Sequence, residues 1–198
     1  MNEFYVLTGG PAVGKTTLIE HLAANGHTTI RESARDVIEE QKRLGSDKLP
    51  WLDRPGFQLL VLTRQLEREE AAKGKVAFLD RGIPDGIAYL KEGGYEPLTE
   101  LLDHARGRYR KAFLLEPIGD YQKDSVRYED ENIAREMHRF IEETYTELGY
   151  ELVKIPAASV EERAEMLLRA TQSSSKESPL PSHPTANPPA SHTASRHD

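Results

Sequence analysis

Residues 4–16 read Phe-Tyr-Val-Leu-Thr-Gly-Gly-Pro-Ala-Val-Gly-Lys-Thr, an apolar run that leads directly into a glycine-rich loop. The loop, residues 9–16, matches the phosphate-binding pattern G-x-x-x-x-G-K-[ST]. Residues 18–23 then place apolar side chains at helical spacing, and Asn25-Gly26 is a typical helix end. A strand, a loop and a helix in this order are the setting that the motif requires.

Each residue type in the loop has a physical reason. Glycines let backbone N–H groups approach phosphate oxygens, and the helix N-terminus adds roughly half a positive charge. Lys15 would bring a cation to the β- and γ-phosphates, and the Thr16 hydroxyl would ligate Mg²⁺. The sequence therefore predicts ATP or GTP with Mg²⁺ as cofactors; the alternative is a Gly-Pro turn before a helix with an exposed lysine. The predicted nucleotide-binding residues are Gly9, Gly10, Pro11, Ala12, Val13, Gly14, Lys15, Thr16 and Thr17.

Composition excludes several other classes of protein. The 198 residues contain 26 basic and 33 acidic side chains and no cysteine. Without cysteine there is no disulfide scaffold, thiolate metal site or cysteine nucleophile. A net charge of −7 argues against nucleic acid as a partner. No apolar run approaches the roughly 20 residues that span a bilayer, and the first residues do not resemble a signal peptide. We expect a cytoplasmic protein, as a monomer or homodimer.

The pattern of short apolar runs alternating with helical segments predicts an α/β domain with a parallel sheet over residues 1–170. The strands are expected at 4–8, 28–31, 75–80, 111–116 and 150–155. Helices are expected at 56–73, at 133–148 before Gly149, and at 160–168 after a Ser159–Glu162 capping box. From 171 to 198 the chain is rich in Ser, Pro and His, and we expect a disordered tail.

Asp80 ends an apolar strand and is predicted to hold Mg²⁺ beside Thr16. Arg81 follows, so the acidic pair that many hydrolytic motors use to activate water is missing. Nothing resembles the N-K-x-D motif that reads guanine. Both absences favour phosphoryl transfer to a bound acceptor over hydrolysis.

A transferase also needs a group that orients the acceptor hydroxyl. Glu32 directly follows the second predicted strand and is the first candidate for this base, with Asp85 second. Glu32 fits equally well as an acid at a helix N-terminus that simply pairs with Arg35.

Two further segments have alternative interpretations. The polar stretch 116–130 resembles a mobile lid in which Arg127 would reach the phosphates, although a surface loop has similar composition. The stretch 49–58, with Trp51 and Phe57, could contribute to an acceptor pocket or simply to packing.

Taken in order, GGPAVGKTT, RESARDVI, VAFLDRGIPDGIAYL and DSVRYED before a helix ending in ELGYELVKIP resemble the NadR-type AAA-domain family of P-loop NTPases. This family includes ribosylnicotinamide kinase domains and a nucleotide-binding domain of an insect photoreceptor trafficking protein. The resemblance covers 1–170 and implies a three-layer, five-stranded sheet in the order 2-3-1-4-5 with helices on both faces. It also implies an NTP·Mg²⁺ site at Gly14, Lys15, Thr16 and Asp80, with Arg127 as lid arginine.

Two functions follow as hypotheses. The first is a small-molecule kinase that transfers the γ-phosphoryl group of ATP to a nucleoside-like hydroxyl acceptor, with Lys15, Glu32, Asp80 and Arg127 as catalytic residues. The second is an NTP-binding or hydrolysing regulatory module that acts through a protein or lipid partner. A domain with a vestigial loop is a third, weaker alternative.

Overall fold

The computed structural model describes residues 3–117 and 125–173, and the side chains of 125–131 and 173 lie outside this description. The described residues contain one five-stranded sheet in which all four neighbouring pairs are parallel. The strand order is β2-β3-β1-β4-β5, which confirms the predicted fold class. The strands are β1 Glu3–Thr8, β2 Thr28–Ile30, β3 Val76–Asp80, β4 Lys111–Leu115 and β5 Leu152–Ile155.

Helices connect the strands and cover both faces of the sheet. One face packs against α1 and α7, and the other against α3, α4, α5 and α6, while α2 lies on α3. No helix within the described residues is both long and apolar enough to cross a membrane. The helices are α1 Lys15–Ala24, α2 Ser33–Leu44, α3 Arg54–Ala71, α4 Ile83–Glu92, α5 Thr99–Ala105, α6 Ser125–Glu147 and α7 Val160–Ser173.

The two faces of the central strand β1 feed two separate cores. Phe4 and Val6 point into the cluster under α3 to α6, whereas Tyr5 and Leu7 point into the cluster under α1 and α7. All four are nearly inaccessible, as expected for a strand of a parallel sheet that is covered on both sides.

Several element ends agree with the sequence signals. Ser159 and Glu162 form the predicted capping box, with N···O distances of 3.0 and 3.2 Å. Gly149, with φ near +85°, follows the end of α6. Helix α3 begins two residues earlier than expected, because the Asp53 side chain caps its N-terminus and proline is tolerated in a first helical turn.

The predicted boundary at residue 170 falls inside α7, which runs to Ser173. The disordered tail stays a prediction, since residues 174–198 lie outside the described part of the chain.

Strand register determines where the site forms. Leu7 pairs with Asp80, and Ile30 pairs with Leu79, so β1, β2 and β3 end at nearly the same level. The residues that follow these strands therefore meet at one edge of the sheet, where ligands bind in open α/β folds.

Candidate active site

The glycine-rich loop adopts a tight curl between β1 and α1. Gly9 and Gly14 have φ angles of +132° and +87°, which residues other than glycine rarely adopt. A Cβ atom at Gly9 would lie 2.8 Å from the Leu115 carbonyl oxygen at the end of β4. Both positions therefore need glycine for their backbone conformation, and Gly9 also needs it because β4 lies so close.

Lys15, the first residue of α1, folds back over this loop. Its Nζ donates hydrogen bonds to the carbonyl oxygens of Gly9 at 3.0 Å and Gly10 at 2.6 Å. The side chain is only 6% exposed. Burial, and then the nearby Arg81 guanidinium, lower the pKa of Lys15 to about 8. An incoming phosphate would replace carbonyl partners with a full negative charge.

Helices α6 and α7 hold the loop from outside. The Gly10 N–H donates to His138 Nδ1 at 3.2 Å, and a Cβ at Gly10 would lie 2.8 Å from the Ala134 carbonyl oxygen in α6. The buried Arg163 of α7 donates to the Val13 carbonyl oxygen at 2.6 Å. It also donates to the carbonyl oxygens of Glu116 at 2.6 Å and Pro156 at 3.0 Å.

Asp80 lies at the end of β3, beside the start of α1. Its Oδ2 accepts a hydrogen bond from the Thr16 hydroxyl at 2.9 Å, whereas its buried Oδ1 has no hydrogen-bond partner among the described residues. Burial raises the pKa of Asp80 and outweighs the opposing effects of the Thr16 hydrogen bond and of the nearby Lys15 and Arg81 cations.

This carboxylate and hydroxyl suit a magnesium ion. An unpartnered buried carboxylate oxygen beside a hydroxyl oxygen is the hard oxygen donor set that Mg²⁺ prefers, with phosphate oxygens and water completing the shell. Within the described residues no cluster of three or more His, Cys, Asp or Glu could hold a metal alone. A magnesium ion at Asp80 would therefore depend on the nucleotide.

Glu32 and Arg81 form an ion pair across the edge of the sheet. Glu32, at the N-terminus of α2, accepts from Arg81 Nε at 3.0 Å, whereas Arg35 lies exposed on the same helix. Glu32 thus pairs with Arg81, and the alternative prediction that it pairs with Arg35 is wrong. Arg81 itself has φ near +71° and its backbone N–H donates to the Leu7 carbonyl oxygen. A non-glycine residue in this conformation costs about 1–3 kcal/mol and is typical of functional sites.

Asp85, the second candidate base, is fully occupied. Its Oδ1 accepts from the Thr8 hydroxyl at 2.7 Å and from Arg81 Nη1 at 2.9 Å. Its Oδ2 accepts from the Gly82 N–H at 3.0 Å and the Tyr145 hydroxyl at 2.7 Å. Because it is 2% exposed and both oxygens are engaged, Asp85 is an anchor for Arg81.

A cavity of about 410 Å³ opens directly beside these residues. Its walls come from α2, α3 and α4, from one residue of α5 and from two residues of α6. Glu32, Asp80 and Arg81 all border it, so the metal-ligand candidate and the base candidate face one space. The side chains that line the rest of the cavity include Pro50, Arg54, Phe57, Gln58, Leu62, Tyr89, Glu92, Leu101 and Met137.

The structure thus brings together Lys15, Thr16, Asp80 and Glu32, as the sequence predicted. Helix α6 contains residue 127, but its side chain lies outside the described residues, so the lid role of Arg127 stays a prediction. The stretch 49–58 contributes to the cavity through four residues, Pro50, Arg54, Phe57 and Gln58.

Sequence reasoning missed three contributors to the site. Arg81 served only to show that no second acid follows Asp80, and no pattern singled out Gln58 or Tyr89. Trp51, the only tryptophan, is 59% exposed and contacts the Lys42 ammonium instead of lining the cavity.

The fold and the phosphate loop define a P-loop nucleotide-binding protein. The family model described as "AAA domain" matches residues 4–163, which is most of the chain. The chain belongs to this AAA-domain family. No curated protein matches its sequence.

Solved structures with the same fold include several kinases. Thymidylate kinase from Ehrlichia chaffeensis is 17% identical, with a TM-score of 0.60 over 85% of this chain and 98% of that one. NadR in complex with NR is 18% identical, with a TM-score of 0.60 over 92% of this chain and 53% of that one. Deoxyadenosine kinase from M. mycoides is 14% identical, with a TM-score of 0.56 over 86% and 99%. At these identities the likeness establishes the fold.

Proposed function

We propose that the protein is an ATP-dependent kinase that phosphorylates a hydroxyl group of a small molecule bound in the 410 Å³ cavity. One observation carries this proposal: the Glu32 carboxylate borders the same cavity as Asp80, next to the phosphate loop. A hydrolase would need no enclosed space of this size for an acceptor. The fold shared with nucleoside and nucleotide kinases supports the same conclusion.

ATP would bind with its phosphates inside the loop 9–16, where Lys15 and the first N–H groups of α1 neutralise them. Thr16 and Asp80 would hold Mg²⁺. When bound, the metal neutralises charge on the β- and γ-phosphates. Arg127 would close over the phosphates from the lid.

Glu32 would act as the general base or hydroxyl-orienting group. The acceptor oxygen forms a bond to the γ-phosphorus as the bond from that phosphorus to the β,γ-bridging oxygen breaks. The hydroxyl proton passes to the Glu32 carboxylate, and ADP leaves. Arg81 fixes the Glu32 carboxylate at 3.0 Å, and Asp85 in turn fixes Arg81.

The charges that line the cavity favour an uncharged acceptor. Four carboxylates border it, from Glu32, Asp80, Asp85 and Glu92, against two guanidinium groups. Both guanidinium groups are already paired, Arg54 with Glu92 and Arg81 with Glu32 and Asp85. A phosphorylated acceptor would find no spare cation in this lining, whereas a nucleoside-like hydroxyl compound needs none. The absence of cysteine and the use of ATP suit a cytoplasmic enzyme, monomeric or homodimeric.

The test is ³¹P NMR of ATP·Mg²⁺ with a panel of nucleosides and related hydroxyl compounds. We expect acceptor-dependent ADP and a new phosphomonoester signal with the wild-type protein. Glu32→Gln removes the base but keeps the shape of the side chain, so turnover should fall about 10²- to 10⁴-fold with nucleotide affinity unchanged. Glu40→Gln, on the same helix, is the matched control and should retain full turnover.

Other outcomes would contradict the proposal. If ADP forms slowly, at the same rate with and without every acceptor, the protein is a hydrolysing regulatory module instead. In that case binding to a partner should change between ATP and ADP. Full turnover in Glu32→Gln would remove Glu32 from the mechanism.

A further inference from the structure

Gln58 is a buried polar side chain on a cavity wall that also contains several apolar side chains. It lies in the first turns of α3 and is only 6% exposed. It lines the cavity, yet within the described part of the chain its side-chain amide makes no hydrogen bond. Because Gln58 borders the cavity, its amide is available to form hydrogen bonds with a molecule bound there.

A second glutamine seven residues along the same helix shows the contrast. The Gln65 Oε1 accepts from the Ser33 hydroxyl at 2.9 Å, and its Nε2 donates to Glu69 Oε1 at 2.9 Å. Gln65 is equally buried, at 5% exposed. One glutamine of this face of α3 is therefore hydrogen-bonded through both its oxygen and its nitrogen, whereas the other borders the cavity with no hydrogen-bond partner among the described residues.

The facing helix makes room for the Gln58 amide. A Cβ atom at Gly86 would lie 2.8 Å from Gln58 Oε1 and 3.0 Å from Leu101 Cδ2. Glycine inside a helix is unfavourable by about fivefold in a helix–coil equilibrium relative to alanine, so its presence in α4 needs a reason. Keeping the amide of Gln58 in place is such a reason.

A glutamine amide offers one acceptor oxygen and two N–H donors side by side. Its best complement is a planar group with a donor and an acceptor on adjacent atoms, which is an amide or amidine edge. The neighbouring walls suit the flat faces of such a group, because Phe57, Leu62, Leu101 and Met137 line the same cavity.

We propose that Gln58 determines acceptor specificity by pairing with the amide or amidine edge of a planar heterocycle in the acceptor. This inference rests on the proposed function, since the heterocycle must be joined to the hydroxyl group that reaches Glu32. Gly86 leaves space for the amide of Gln58, and Asp85, its neighbour in the chain, anchors Arg81 at the reacting end. The site thus selects by hydrogen bonding at one position and transfers phosphate at another.

The probes are ribosides that differ only at this edge. Adenosine, cytidine, inosine and uridine carry an amide or amidine edge, whereas phenyl β-D-ribofuranoside and methyl β-D-ribofuranoside carry none. Binding to the full chain is measured by calorimetry in the presence of ADP and Mg²⁺, separately from phosphoryl transfer measured with ATP. We expect at least one edge-bearing riboside to bind about 10- to 100-fold more tightly than both edge-free ribosides.

Gln58→Leu should remove that preference and leave the affinity for phenyl β-D-ribofuranoside unchanged or higher. Because Gln58 makes no hydrogen bond within the described residues, this variant should unfold at the wild-type temperature or above. Gln41→Leu is the matched control: Gln41 is a glutamine of α2 that is 8% exposed and does not border the cavity, so the ratio of affinities should stay as in the wild type. Gly86→Ala should also reduce the preference, since the new methyl group displaces the amide.

The outcomes separate this inference from the proposed function. If edge-bearing ribosides bind with a preference that Gln58→Leu abolishes but no phosphoryl group moves, Gln58 reads the edge and the kinase proposal fails. If the ribosides are phosphorylated and Gln58→Leu changes edge-bearing and edge-free compounds alike, the kinase proposal holds and this inference is overturned. It is also overturned if no edge-bearing riboside binds.

Discussion

The proposed phosphate end and the proposed acceptor end of this site are built in opposite ways. The phosphate end is one continuous run, residues 9–16, which offers backbone N–H groups and one lysine. The acceptor end is assembled from side chains of five helices and the turns beside them. A continuous loop can be recognised in a sequence because its spacing is fixed, whereas an assembled cavity exists only after the helices have packed.

The two ends also manage charge differently. At the phosphate end Lys15 has only carbonyl oxygens as partners, and Asp80 has an oxygen with none among the described residues. At the acceptor end every guanidinium on the cavity wall is already paired. The first end is thus prepared for charged ligands and the second for a neutral one.

Replacing Asp85 should disrupt the acceptor end most strongly. In Asp85→Asn an amide nitrogen replaces one oxygen that accepts hydrogen bonds, and Arg81, whose side chain is 13% exposed, loses an ion-pair partner at 2.9 Å. Breaking a buried, hydrogen-bonded charge pair costs about 3–5 kcal/mol, so the free energy of unfolding in urea should fall by that amount. Asp103→Asn, on the exposed surface of α5, should change it by less than about 0.5 kcal/mol. Equal stability of the two variants would show that Asp85 is no anchor.

Replacing Lys15 should affect the phosphate end alone. Lys15→Ala removes the one side-chain cation of the loop, and the loss of a cation in contact with phosphate should weaken ATP binding by about 2–4 kcal/mol, or about 30- to 700-fold in Kd. Equilibrium binding of labelled ATP measures this, with Lys73→Ala on the surface as control. Adenosine binding should stay within about twofold of wild type. An unchanged ATP affinity would contradict the assignment of the phosphate loop.

The pH dependence of ATP binding should follow from the same lysine. The pKa of Lys15 is lowered to about 8 in the free protein, and the phosphates of bound ATP should raise it. Binding then takes up a proton above pH 8, so Kd should rise by up to about tenfold per pH unit there, with no contribution from Lys15 well below pH 8.

Calorimetry at pH 9 in two buffers with different ionisation enthalpies gives the number of protons taken up. Lys15→Arg keeps the charge at every pH in this range, so its affinity should show no such slope. A wild-type protein that binds ATP with no proton uptake at pH 9 would show that Lys15 is already fully protonated there.

The sequence predicted the sheet, its strand order and the phosphate end, because each depends on local patterns or on a resemblance carried by contiguous motifs. It predicted Asp80 and Glu32 for the same reason: both follow a strand, and parallel strands end at one edge. The helix α4 was not predicted; it contains Pro84 and Gly86, two residue types with low helix propensity. Proline is tolerated in the first turn of a helix. Gly86 contacts Gln58, which is distant in the sequence, and no local pattern can reveal such a contact.

Gln58 and Tyr89 could not be found from sequence for a related reason. Neither belongs to a motif, and Gln58 and Gln65 occupy the same face of α3 with opposite roles. Only the position of Ser33 and Glu69, which satisfy one glutamine and not the other, distinguishes them.

The buried Arg163 sets a lower limit on how far this protein can be shortened. Its guanidinium links α7 to the carbonyl oxygen of Val13, some 150 residues earlier in the chain, and to the ends of β4 and β5. A protease cut or a cloning boundary placed before α7 would therefore keep the sequence of the loop 9–16 but remove the hydrogen bond from Arg163 that holds it. Fusion partners and tags belong after this helix, because a chain that stops short of it lacks the hydrogen bonds by which Arg163 holds the loop.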